Sequence, residues 1–199
     1  MPAETQEWRN RMIRLNPDFD HKLWNEDAQQ QLGIPIELWE SAKNYSEKSD
    51  IVRWYAARRF GGIYSDTDVE WYRPFGELMH SDCWVSFYRD RHHMTGTPMP
   101  TIFGCKPRHM FTEQCIEQLW RRKNDPAPSG DKYGTVCDWV WSSFDYPHIE
   151  HPVLLLPDCF FYPYPASERW ADEANPIPPK DCRATGAFAA HHWEGSWKR

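Results

Sequence analysis

The chain has 199 residues, a net charge of −6 and a mean hydropathy of −0.81. That length suits one domain, 1–199, with enough chain to bury a core without disulfides or metals. No run of about 18 apolar residues occurs, which argues against a helical membrane span, and the acidic balance disfavours nucleic acid as the main partner.

Aromatic content is 16%, with 12 Trp beside 17 Pro. Disordered chains are poor in aromatics, so this one is expected to fold. Composition alone assigns the Trp to a core and only secondarily to sugar or nucleotide contact. No charged stretch followed by an apolar run opens the sequence, which predicts no secretory signal and a cytoplasmic location. The six cysteines form no Cys-x-x-Cys pair and are expected as free, mostly buried thiols.

In chain order, Glu7 to Leu15 reads as a helix with Trp8, Met12 and Leu15 on one face. Asn16-Pro17 stops it. Phe19 to Trp24 alternates as a strand would. Pro35 opens a helix through Leu38 and Trp39. A stronger helix follows, capped by Ser46 or Ser49, with Ile51, Trp54, Tyr55 and Phe60 as its apolar face and Gly61-Gly62 as its end. Ile63-Tyr64 is a short strand running into Asp66-Thr67-Asp68. Cys83 to Tyr88 and Thr101 to Cys105 read as strands, and Met110 to Lys123 as an amphipathic helix. Lys123 to Asp131 is a loop, and Thr135 to Phe144 is helical in pattern. Val153 to Leu156 is a short buried strand, Pro157 to Lys180 is irregular, and Thr185 to Trp193 is a last strand. Strands alternating with helices indicate a layered α/β domain.

The densest chemistry lies mid-chain. Asp66 and Asp68, spaced i, i+2 after a short strand, leave one face if the chain stays extended. Two carboxylates aimed together repel unless a hard cation lies between them, and oxygen ligands suit Mg²⁺ or Mn²⁺. A lone Asp-x-Asp is otherwise a common solvated turn. Asp50 and Arg53 share a helix face one turn apart. Gly61-Gly62 turns that helix back into the Asp-x-Asp segment, so both ends can line one pocket.

Ser49-Asp50-Ile51-Val52-Arg53, seven residues, then Gly61-Gly62-Ile63-Tyr64-Ser65-Asp66-Thr67-Asp68-Val69-Glu70 resembles the Asp-x-Asp block of glycosyltransferase family 32. It is also similar to the block of the large clostridial glucosylating toxins. Asn16-Pro17-Asp18-Phe19 through Leu23-Trp24 and the closing His191-His192-Trp193-Glu194-Gly195-Ser196-Trp197 resemble two further family segments, in the family's order. The resemblance implies an α/β GT-A fold and retaining transfer of a sugar from a UDP- or GDP-linked donor to a hydroxyl acceptor, a glycan, with Mn²⁺ or Mg²⁺. It implies catalytic roles for Asp50, Arg53, Asp66 and Asp68. Asp50 and Arg53 would hold the sugar, with Tyr64 beside the donor. Asp66 and Asp68 would hold the metal, completed by His191 or His192. Ser196 and Trp197 would reach the diphosphate, with Lys198 adding charge.

The family's usual first strand is expected to be missing, since only seven residues precede Trp8. A haloacid-dehalogenase-type phosphatase also carries Asp-x-Asp after a strand, but Glu70 stands where that class needs Thr or Val. A sugar- or nucleotide-binding module with reduced catalysis is the alternative reading. It need not keep Asp50, Arg53, Asp66, Asp68, His191 and Ser196 together. Phe160 to Tyr164 is a candidate acceptor wall, while Trp8, Trp24, Trp39 and Trp54 are assigned to packing.

Overall fold

The computed structural model describes residues 2–89, 96–124, 136, 140, 151–169 and 181–194. Helix α1 (Ala3–Leu15) turns its Trp8 into the interior and stops at Asn16. Asn16 is buried, and its side-chain carbonyl accepts from Phe75 N–H at 2.9 Å. The stretch expected as a strand at 19–24 is irregular. Phe19 and Leu23 are exposed, so its alternation has no buried face to serve. Short helices α2 (Ala28–Leu32) and α3 (Ile36–Trp39) follow, the second behind Pro35.

Helix α4 (Tyr45–Phe60) places the site. Its cap is Asn44, whose side chain accepts from Glu47 N–H at 2.9 Å, and not Ser46 or Ser49. Asn44 holds extended backbone there, as a cap must. The middle of α4, Asp50 to Ala57, is buried all round, and its two charged residues are buried with it. Gly61 ends the helix at φ +64°. A Cβ there would lie 2.6 Å from the Pro107 ring and 2.8 Å from Cys105 O, so the return into the sheet requires glycine.

The main sheet has the order β1-β4-β3-β5, from β1 (Gly62–Ser65), β3 (Cys83–Arg89), β4 (Gly96–Cys105) and β5 (Leu154–Leu156). β5 runs parallel to β3, and the other pairs are antiparallel. β4 is longer than the predicted Thr101 to Cys105. Among the described residues no strand precedes β1. Alternate residues build a core on each face of this sheet. Val85 and Phe103 join Leu38, Ile51, Trp54 and Phe111 under α4 and α5 (Met110–Arg122). Trp84 and Ile102 join Trp71, Phe75, Phe161 and Phe188 on the other side. Trp54 stacks on Phe103 with centroids 4.6 Å apart. Burying a side chain of that size stabilises by about 2–3 kcal/mol.

A second, two-stranded sheet pairs β2 (Val69–Trp71) with β6 (Ala189–His191). β6 is shorter than the expected Thr185 to Trp193, since Arg183–Thr185 forms a 3₁₀ turn closed by Gly186. Cys83, Cys105, Cys115 and Cys182 are buried free thiols, and Cys159 is an exposed one. The expected 123–131 loop and 135–144 helix fall mostly outside the described residues. No helix among the described residues is long and apolar enough to cross a membrane.

Candidate active site

The candidate site lies where the main sheet hands over to the small one. Asp66 follows β1, and its N–H still donates to Thr101 O on β4 at 2.9 Å. Thr67 and Asp68 then form a turn before β2, so strand alternation does not aim the two carboxylates. The turn does, held by His192 N–H donating to Asp68 O at 2.9 Å.

Asp66, Asp68 and His191 each present a ligand atom, and these atoms lie within 4.8 Å of one another. His191 Nε2 is 3.3 Å from Asp68 Oδ2. Glu194 N–H donates to the same oxygen at 3.0 Å. His191 Nδ1 is buried with no hydrogen-bond partner among the described residues. Of the two histidines expected as ligands, His192 is not at this cluster. Neighbours at a strand end point to opposite faces, and His192 bonds Glu70 and Tyr164 instead.

Beneath the cluster lies the buried middle of α4. Arg53 is buried and pairs with Asp50 at 2.6 Å and with Asp66 Oδ1 at 3.5 Å. The Tyr64 hydroxyl donates to that same Asp66 Oδ1 at 2.7 Å and meets Ser49 Oγ at 3.0 Å. The Arg53 guanidinium also lies over the Tyr64 ring, 5.0 Å from its centroid. One Asp66 oxygen is thus saturated by protein donors. The other meets none among the described residues, which leaves it for a ligand.

Charge in this cluster is finely opposed. Burial pushes the Asp68 carboxyl up, but the charge and hydrogen bond of His191 and the Glu194 N–H outweigh it and hold the group at about 2. Burial keeps the Asp66 carboxyl above its ordinary range, with Arg53 opposing and Asp68 adding to the shift. Burial disfavours His191 protonation, yet Asp68 and Asp66 together raise its pKa. Burial, and next the Asp66 charge, push the Tyr64 phenol up, so Tyr64 stays a neutral donor.

Two carboxylates, an imidazole with an orphaned nitrogen and a carboxyl made costly by burial fit a hard divalent cation. Among the described residues no cysteine belongs to the cluster. A cleft beside Asp66 is lined by Arg9, Met12, Lys22, Leu23, Ser65, Thr67 and Val69.

The Asp-Thr-Asp turn falls inside a stretch, residues 2–85, that matches a family model for the glycosyltransferase sugar-binding region containing the DXD motif. An uncharacterized mimivirus glycosyltransferase is 21% identical over 141 residues, covering 68% of this chain and 56% of its own. Inositol phosphoceramide mannosyltransferase 3 of Schizosaccharomyces pombe is 31% identical over 114 residues, covering 55% of this chain and 31% of its own. Mannosyl phosphorylinositol ceramide synthase CSH1 of Saccharomyces cerevisiae is 25% identical, covering 63% and 33%. The chain therefore spans 31% to 56% of the length of these relatives. Among solved structures, the PaToxG glycosyltransferase superposes with a TM-score of 0.52, covering 70% of this chain and 62% of its own. At 12% identity that likeness speaks for the fold alone, a mixed α/β fold of the GT-A type.

Of the residues singled out from sequence, Asp50, Arg53, Tyr64, Asp66, Asp68 and His191 come together. Ser196, Trp197 and Lys198 lie outside the described residues. Phe161, Tyr162 and Tyr164 are buried and cannot form an acceptor wall. The Tyr162 hydroxyl instead bonds Ser86 and Thr101 at 2.7 and 2.6 Å. Sequence reading gave no role to Ser49 beyond a cap, although it stands one residue before Asp50.

Proposed function

We propose that this chain is a single-domain, metal-dependent retaining glycosyltransferase that moves a sugar from a UDP- or GDP-linked donor to a hydroxyl of a glycan. The observation that carries the reading is the meeting of Asp66, Asp68 and His191 directly above the buried Asp50–Arg53 pair. In this reading Asp66, Asp68 and His191 hold Mn²⁺ or Mg²⁺. The ion would supply Lewis-acid neutralisation of the departing diphosphate.

The chain's own residues supply the rest. Arg53 and the Tyr64 hydroxyl fix one oxygen of Asp66, so the other is presented in a single orientation. Asp50 holds Arg53 by its guanidinium and, with it, offers a fixed charge pair to the sugar hydroxyls. Burial of this pair removes competing water and preorganises the field in which the glycosidic bond polarises. No second carboxylate is placed as a covalent nucleophile among the described residues, which supports attack by the acceptor on the face the diphosphate leaves. Ser196 and Trp197 are assigned to the diphosphate on the family resemblance.

The test is a thermal-shift panel of nucleoside diphosphates with and without Mn²⁺. The names of the yeast relatives make mannosyl transfer the first reaction to try, hence GDP as the first ligand. Stabilisation by at least one diphosphate only when Mn²⁺ is present is expected. No metal-dependent stabilisation by any of them would overturn the reading. Stabilisation without donor turnover would leave a binding module.

A pH titration adds an independent check. Asp68 contributes stability above its ordinary value of 3.8 and loses it as pH falls toward about 2. His191 contributes below its ordinary value of 6.5 and loses it as pH rises through its raised value. The pair thus supports the metal-free fold most between about pH 4 and 6.5. Mn²⁺ must displace the His191 proton, so its affinity should rise as pH climbs from 6.5 through the raised His191 value. Calorimetric titration measures this, and a flat profile would remove His191 from the ligand set.

A further inference from the structure

Behind the cation cluster lies a second polar cluster on the far side of β2 and β6. His192 is fully buried and forms its centre. Its Nε2 is 3.3 Å from Glu70 Oε2 and its Nδ1 is 2.7 Å from the Tyr164 hydroxyl. A carboxylate only accepts, so Nε2 carries a proton and donates to Glu70, while Nδ1 shares the second hydrogen bond with the Tyr164 hydroxyl. The Tyr72 hydroxyl donates to the same Glu70 oxygen at 3.1 Å, and Arg11 lies 3.9 Å from the other. Trp8 covers the imidazole ring with centroids 4.4 Å apart. His192 therefore has one orientation, fixed from α1, from β2 and from the segment carrying Tyr164.

The need for such a clasp follows from the strands. β2 and β6 are three residues each, too short to fix their own register firmly. Their register sets Val69 opposite His191 and Glu70 opposite Ala190. A slip of one residue would exchange the faces of His191 and His192. It would carry His191 away from Asp66 and Asp68, and it would break the His192–Glu70 bond.

We propose that Glu70 and His192 are positioning residues that lock this register, so that His191 meets Asp66 and Asp68. The inference rests on reading those three as the cation site. Its test uses the full chain and Mn²⁺ alone, titrated calorimetrically. Glu70→Ala removes the acceptor, and His192→Phe keeps the ring on Trp8 while losing both hydrogen bonds. Each should bind Mn²⁺ about tenfold more weakly, the scale seen when supports of metal ligands are removed. Leu119→Ala, a core truncation in α5, should lower thermal stability and leave Mn²⁺ affinity unchanged. If Glu70→Ala fails to fold, His192→Phe and Tyr164→Phe carry the comparison. Wild-type affinity in the folded variants would overturn the register role while leaving the cation site standing. So would an equal loss in Leu119→Ala. A wild-type chain that binds neither Mn²⁺ nor Mg²⁺ would remove the cation site itself, and this inference with it.

Discussion

Replacing Arg53 by Ala is expected to cost about 3–5 kcal/mol of folding stability, the scale for breaking a buried ion pair by removing one partner. Arg53 and Asp50 have side-chain exposures of 6% and 5%, so solvent cannot take over the lost charge. Asp66 loses the same cation, and its carboxyl should rise further. For a chain of this size the midpoint of thermal unfolding would fall by roughly 10 °C. Urea unfolding of Arg53→Met, Asp50→Leu and the double variant separates charge from packing. The double variant should recover much of the loss, because it leaves no uncompensated charge at that pair. It should not recover activity if, as proposed, the charge pair holds the sugar. A single Arg53 variant as stable as wild type would show that this pair is not buried in solution.

Asp68→Asn carries the second large effect. The substitution keeps the size of the side chain and an oxygen that can accept from Glu194 N–H. It removes a charge that His191 and the cation would share. Mn²⁺-dependent turnover should fall about a thousandfold, the rate equivalent of the several kcal/mol that a metal contributes to charge stabilisation. The pKa of His191 should drop at the same time, because Asp68 is the leading cause of its elevation against burial. Imidazole titration by NMR reads this without any substrate. Unchanged turnover in Asp68→Asn would take the metal away from this position.

Much of the site was legible because its parts are local in sequence. Asp50 and Arg53 share a helix face by spacing, and Gly61-Gly62 predicts the sharp return toward Asp66. The clustering of His191 with them was legible only through the family resemblance, since its partners lie more than 120 residues away. The choice between His191 and His192 was not legible at all. It depends on a strand register, and three-residue strands carry too little pattern to reveal one. The same limit explains Phe19 to Trp24. Alternation marks a strand only when one face is buried, and burial belongs to the fold. Phe161, Tyr162 and Tyr164 failed for the converse reason: a run of aromatics reads as a surface as easily as a core.

The pairing of β2 with β6 joins positions far apart along the polypeptide, as the 122-residue separation of Glu70 and His192 records. Loop closure over such a distance comes late, after local helices and hairpins have paid for collapse. During synthesis, residues 2–85 emerge with Asp50, Arg53, Asp66 and Asp68 already in place along the chain, yet without their imidazole. The order of assembly therefore keeps the acidic pair incomplete until synthesis has passed His191.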